Sequence, residues 1–149
     1  MDFQPMTLAC AQQVLRWRYD PPYDLYNLAE GDLAELMAGN YFAVFDQDRL
    51  IGYCCYGQSA RIPGGDYASG DYFDMGLGMA PALTGGGRGA AFVRAVLQFG
   101  QARHPGCTPR LTVALWNSRA RHVYEKLGFH AVGEAVNRQG TRFAVMIAG

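Results

Sequence analysis

Phe73, Met75, Leu77 and Met79 alternate with Asp74, Gly76, Gly78 and Ala80. A period of two predicts a strand with one apolar face and one nearly bare face. Glycine weakens a strand, and its presence there marks a place where a ligand or another backbone comes close. Pro81 ends the strand, since it has no amide to give a ladder. Gly85, Gly86, Gly87 and Gly89 then surround Arg88. Phe92, Val93, Val96, Leu97 and Phe99 follow at helical spacing.

The same periods organise the rest of the chain. Asp2 to Met6 predict a short strand. Thr7 can cap a helix whose stripe is Leu8, Ala11, Val14, Leu15 and Trp17. Pro21 and Pro22 exclude a helix across the next stretch, which reads as an ordered turn or loop. Residues 31–39 predict a second helix, stopped at Gly39. Strands at 41–46 and 50–57 flank a turn at Gln47-Asp48. Residues 58–71 are rich in Gly, Pro, Ser and Asp, and predict a mobile loop able to cover a site. A strand at 110–115 precedes a helix whose inward face is Ala120, Val123, Tyr124 and Leu127. Asn117 or Ser118 caps that helix and Gly128 stops it. Strands at 129–136 and 141–148 share a hairpin turn at 137–140. The order β α α β β β α β α β β predicts one α/β (α+β) domain with a mixed sheet.

Composition narrows the function classes. A chain of 149 residues suits one domain, and 50% hydrophobic with 17% charged residues fits a folded core. The 13 basic residues balance the 13 acidic ones, so charge points to no nucleic acid and no membrane surface as partner. No apolar run reaches transmembrane length and no signal peptide opens the chain, so a cytoplasmic location is expected. Cys10, Cys54, Cys55 and Cys107 lack CxxC spacing and read as reduced thiols. His104, His122 and His130 form no metal spacing with them, and His122 with Glu125 makes only two ligands, so no metal is expected. No GxSxG string is present, which disfavours a serine hydrolase.

The glycine run has chemistry of its own. Amides at a helix start lack intrahelical partners and carry about half a positive charge from the helix dipole, so the loop predicts a phosphate or pyrophosphate site. A flexible surface turn is the bland alternative. No GxxxxGK[ST] string occurs. Gly85, Gly87 and Ala90 fit a dinucleotide fingerprint. However, the first acidic residue after Asp74 is Glu125, too far away to hold a ribose, which disfavours a nicotinamide cofactor. Elsewhere, Tyr19, Tyr23 and Tyr26 with Asp20 and Asp24 offer aromatic walls and carboxylates for a cationic amine. The same tyrosines could equally close the edge of a core.

Thr84, Gly87 and Gly89 resemble the acyl-CoA-binding motif [RQ]xxGx[GA] of the GNAT superfamily of N-acetyltransferases. Thr84 departs from the first motif position, and Gly86 falls where many members carry a basic residue, with Arg88 close by. Asn117, Ala120, Tyr124 and Lys126-Leu127-Gly128-Phe129 resemble the family's second hallmark, NxxAxxxYxKxGF. The resemblance implies a single GNAT-like domain over 1–149, with a twisted mixed sheet of about seven strands flanked by helices. It implies acetyl-CoA as acyl donor, bound in a V-shaped cleft where two central strands splay.

The resemblance also distributes roles. Thr84, Gly85, Gly86, Gly87, Arg88 and Gly89 would hold the pyrophosphate, and Asn117 would be a further cofactor contact. The backbone of Gly78, Met79 and Ala80 would pair with the pantetheine arm, one N–H there serving as oxyanion donor. Tyr124 would protonate the leaving thiolate. Asp74 is the base candidate, directly or through water, against the alternative of a solvated strand-end carboxylate. Direct transfer to a primary amine is implied: a polyamine, amino sugar, amino acid, lysine or peptide N-terminus. A non-catalytic acyl-CoA-binding or regulatory module is the other reading, and monomer or homodimer both stay open.

Overall fold

The computed structural model describes residues 1–149. Seven strands form one sheet in the order β1-β2-β3-β4-β5-β7-β6, and four α-helices accompany it. The strands are β1 (Asp2–Pro5), β2 (Tyr41–Asp46), β3 (Arg49–Tyr56), β4 (Tyr72–Met79), β5 (Thr108–Ala114), β6 (Phe129–Val136) and β7 (Arg142–Ala148). The helices are α1 (Leu8–Arg16), α2 (Leu33–Leu36), α3 (Arg88–Arg103) and α4 (Ser118–Lys126). The predicted element order holds throughout. By contacts the residues divide into two units, Met1–Cys55 with Leu77–Arg88, and Tyr56–Gly76 with Gly89–Gly149. β4 therefore gives its first five residues to one unit and its last three to the other.

In the first unit β1, β2 and β3 run antiparallel. Gln47 and Asp48 both take left-handed backbone angles, φ 49° and 67°, as a tight hairpin requires. Thr7 accepts from the Cys10 amide and starts α1, which buries Ala11, Val14 and Leu15 on one face. These pack with Leu36, Ala43 and Leu50, and Trp17, Tyr41 and Tyr53 lie against that cluster.

Two local expectations gain detail here. Residues Tyr23–Tyr26 form a 3-10 turn immediately after Pro22, in the stretch from which helix was excluded in favour of an ordered turn or loop. Proline obstructs the interior of a helical segment but not its start, where its missing amide is no loss. The second helix is also shorter than predicted. A 3-10 turn at Glu30–Asp32 leads into four residues of α2, with Gly39 reversing the chain at φ 100°.

In the second unit β4 lies parallel to β5, and β7 runs antiparallel to both of its neighbours, β5 and β6. Phe73 and Met75 on β4, Phe92, Val93 and Val96 on α3, and Leu111 and Val113 on β5 are buried. Gly100 of α3 is where the aromatic rings press closest. A Cβ there would lie 2.6 Å from Phe73 and 2.7 Å from Tyr56. The Tyr56 hydroxyl donates to the Val96 carbonyl at 2.6 Å. All four cysteines are thiols. No helix is long and apolar enough to cross a membrane.

Candidate active site

The two ends of β4 have opposite chemistry. At its start Asp74 is 3% exposed and Arg110 on β5 is 2% exposed. Arg110 donates from Nε to Asp74 Oδ1 at 2.7 Å and from Nη2 to Oδ2 at 3.0 Å, a bidentate pair. Arg61 adds a third bond, Nε to Asp74 Oδ2 at 2.8 Å. The Arg110 guanidinium also stacks on Tyr72, 4.4 Å from the ring centre. Hydrogen bonding to Asp74 pushes the Arg110 pKa up against the opposing effect of burial.

These contacts bury Asp74 among guanidinium donors, where a base open to the cleft was expected. Both carboxylate oxygens are engaged by guanidinium donors, three bonds in all, so neither is open to an incoming amine. Asp74 is neither the open cleft carboxylate expected nor a solvated strand-end group. The loop at 58–71 departs from expectation as well. Arg110 Nη1 donates to Ala68 O at 2.8 Å, the Tyr67 hydroxyl lies 2.9 Å from Thr112 Oγ1, and Ile62 N donates to Tyr67 Oη at 2.9 Å. Part of the predicted mobile cover is thus pinned to β5 by side chains.

At the far end of β4 the bare face is not bare. A Cβ on Gly78 would lie within 2.6 Å of Tyr53 Oη and closer still to its ring. Glycine here admits an aromatic ring from β3, where the sequence suggested room for a ligand. Ala80 N donates to Ile51 O at 2.8 Å, so that amide is already committed. Strand backbone groups alternate between edges, so the N–H and C=O of Met79 point to the edge away from Ile51. Among Gly78, Met79 and Ala80, the amide of Met79 therefore faces that edge.

The tyrosine-rich loop splits in two. Tyr19 turns inward, donating from its hydroxyl to Met79 O at 2.6 Å, while its own amide donates to Asn27 Oδ1 at 2.8 Å. Burial pushes its phenol up to about 12. Tyr53 and Tyr41 are raised as well, chiefly by burial. Tyr23 and Tyr26 are half-buried, whereas Asp20 and Asp24 are exposed. Of the expected cage of three tyrosines and two carboxylates, Tyr19 reaches β4 through its bond to Met79 O.

The glycine loop has a backbone that calls for its glycines. Gly85, Gly86 and Gly87 have φ of 85°, 62° and 80°, a run only glycine accepts without strain. All three are exposed, and α3 begins at Arg88. Arg88 lies beside Gly86, its Nη2 3.7 Å from where a Cβ would stand. A positive charge thus returns to the place that Gly86 left without one. Thr84 turns its hydroxyl back to Pro81 O at 2.8 Å, so its side chain serves the turn. Gly89 is half-buried in the first turn of α3.

On α4, Tyr124 is buried and meets Phe129 edge to face at 6.1 Å. Asn117 is the N-cap, its Oδ1 accepting from Ala120 N at 3.1 Å. That bond accounts for the motif's Asn and Ala spacing by local structure. Arg61, Tyr67 and Arg110 escaped notice in the sequence, as did Tyr53 and Asn27. Arg110 did leave a signal: an arginine opening an apolar strand needs a buried anion, and Asp74 is the acid on the neighbouring strand.

A mixed α/β sheet of seven strands with a glycine loop ahead of its longest helix defines the class. The profile of the acetyltransferase (GNAT) family matches residues 9–129, and the chain belongs to that family. No curated protein matches the chain. Among solved structures, a putative GNAT-family acetyltransferase from Bordetella pertussis is similar, with TM-score 0.74 and 16% identity over 99% of this chain and 94% of that one. A spermidine N-acetyltransferase SpeG chimera from Vibrio cholerae and hSSAT has TM-score 0.72 and 18% identity, covering 99% of this chain and 95% of that one. AAC(6')-Ib in complex with ribostamycin and coenzyme A has TM-score 0.73 and 19% identity, covering 98% and 91%. At these identities the likeness concerns the fold. The family uses acetyl-CoA.

Proposed function

We propose that this chain transfers an acetyl group from acetyl-CoA directly to a primary amine. The observation that carries the reading is the run of three left-handed, exposed glycines at 85–87 opening into the 16-residue α3, with Arg88 beside Gly86. Such a loop leaves backbone amides without side-chain cover, which suits a pyrophosphate. Gly85 to Gly89 would hold that group through backbone and Arg88, Thr84 shaping the turn and Asn117 fixing the start of α4. When bound, acetyl-CoA supplies a thioester carbonyl as electrophile.

The chain's own residues then have separate tasks. The Met79 N–H would hold the carbonyl oxygen as negative charge develops there. Tyr124 would give a proton to the departing sulfur. A phenol near pKa 10 and a thiol near 8.5 make that step uphill by about 2 kcal/mol, so the hydroxyl assists without being indispensable. With Asp74 locked by two arginines, the ammonium proton would leave through water. An α-amine near pKa 8 loses it more easily than a lysine near about 10.4. Spermidine and an aminoglycoside are named with structural neighbours, and both carry primary amines, which places amines of this kind first in a screen.

The test is thiol release from acetyl-CoA in the presence of spermidine, ribostamycin and an alanine-ended peptide. Turnover with one of them is expected, and Tyr124→Phe should lower its kcat by roughly ten- to a thousandfold. An unchanged kcat across the pH range would remove the proton-donor role. Thr84 favours a second reading, since its hydroxyl is spent on Pro81 O. A site weakened in this way suits a non-catalytic acyl-CoA-binding module, which would bind acetyl-CoA and turn over none of the amines.

A further inference from the structure

We infer that Tyr19 positions the acceptor amine, its hydroxyl oxygen receiving a hydrogen bond from the incoming ammonium while it donates to the Met79 carbonyl. The inference rests on the transferase reading and adds a specificity-determining residue to it. Tyr19 and Met79 are 60 positions apart, yet Oη and O are 2.6 Å apart. Ala80 N is bound to Ile51 O, so Met79 presents its carbonyl and its amide on the same, opposite edge of β4. The hydroxyl therefore sits on the very residue whose N–H would hold the thioester oxygen.

A phenol that donates its one proton still has lone pairs to accept with, and an ammonium is a donor without acceptors. The two are complementary in a way that a second donor, such as a thiol or amide N–H, would be less fully. The placement is fixed from behind. Asn27 Oδ1 accepts from Tyr19 N at 2.8 Å, and Asn27 N donates to Asp24 O at 3.1 Å, closing the 3-10 turn at Tyr23–Tyr26. Burial keeps the phenol protonated through the neutral range, with its pKa up to about 12, so Tyr19 acts as a neutral dipole that orients the amine and not as its base.

The experiment is steady-state kinetics of Tyr19→Phe with spermidine, ribostamycin and the alanine-ended peptide, alongside calorimetric titration with acetyl-CoA. The expected result is a KM for the amine raised about ten- to a hundredfold, the scale of a lost hydrogen bond to a charged group, with acetyl-CoA affinity and kcat changed by less than about threefold. Asn27→Ala, which keeps the hydroxyl but loosens its support, should move the amine KM in the same direction by less. It also serves if Tyr19→Phe folds poorly. An unchanged amine KM in both variants overturns the inference, as does a loss that falls on acetyl-CoA affinity instead. If the wild-type chain binds no acetyl-CoA, or binds it and acetylates none of the three amines, the transferase reading itself fails and takes this one with it.

Discussion

The start and the end of β4 show how one strand can be held by two unrelated means. At Asp74 the grip is ionic: one buried carboxylate and two guanidiniums, backed by tyrosine rings. At Gly78 and Met79 the grip is on the backbone: a tyrosine ring fills the space where a side chain would be, and a second tyrosine caps a carbonyl. The first arrangement engages both carboxylate oxygens and suits structure. The second leaves one amide and one phenol oxygen directed away from β3, and suits chemistry. Alternation along the strand puts Asp74 and Gly78 on one face and gives no hint that they differ.

The largest effect that would break this contrast lies at Asp74. Asp74→Asn leaves two arginines facing a neutral amide and should cost about 3–5 kcal/mol, the scale for breaking a buried ion pair. For a chain of this size that is a fall in Tm of roughly 6–20 °C. Its acid limb of kcat/KM should stay in place, since the proposed route takes the ammonium proton out through water. A stable Asp74→Asn protein with that limb abolished would return the base role to Asp74.

Much of the fold was legible because period and punctuation coincide. Thr7 and Asn117 are caps, and Gln47-Asp48 and residues 137–140 are turns, each signalled by its own residue chemistry. The candidate site was less legible. Period two states which way Asp74 and Gly78 point, but not that Arg110 or Tyr53 waits there, because those partners are 36 and 25 positions away in sequence. The three tyrosines of the α1–α2 connection were equivalent as sequence. Only the turn that places Tyr19 on Met79 separates it from Tyr23 and Tyr26.

A middling effect is expected at the other end of the strand. Gly78→Ala drives a methyl into the Tyr53 ring and should destabilise by about 1–3 kcal/mol, the usual range for overpacking. Adding Tyr53→Leu should recover part of that loss, with a coupling of at least about 0.5 kcal/mol in a double-mutant cycle read from denaturant unfolding. Strict additivity would mean that the ring does not set the need for glycine.

The smallest effect is a pH dependence confined to alkali. The folded chain raises the Tyr19 phenol from its ordinary 10.0 to about 12, so the neutral form is favoured in the native state. The stability this contributes is complete below the unfolded value near pH 10 and is lost as pH rises through about 12. Unfolding scans between about pH 9 and 12 should show that loss, and Tyr19→Phe should make it shallower. An identical slope in the variant would place the alkaline titration elsewhere.

The measurement that tests the central claim most directly is thermal unfolding with acetyl-CoA, CoA and NADH in turn. At a hundredfold excess over Kd a ligand adds about 2.7 kcal/mol to the folded state. For this chain the midpoint should rise by roughly 5–11 °C with both CoA species. NADH should leave it unmoved. A midpoint that ignores acetyl-CoA and CoA would contradict the account, for the glycine loop at 85–87 would then be a turn without a ligand.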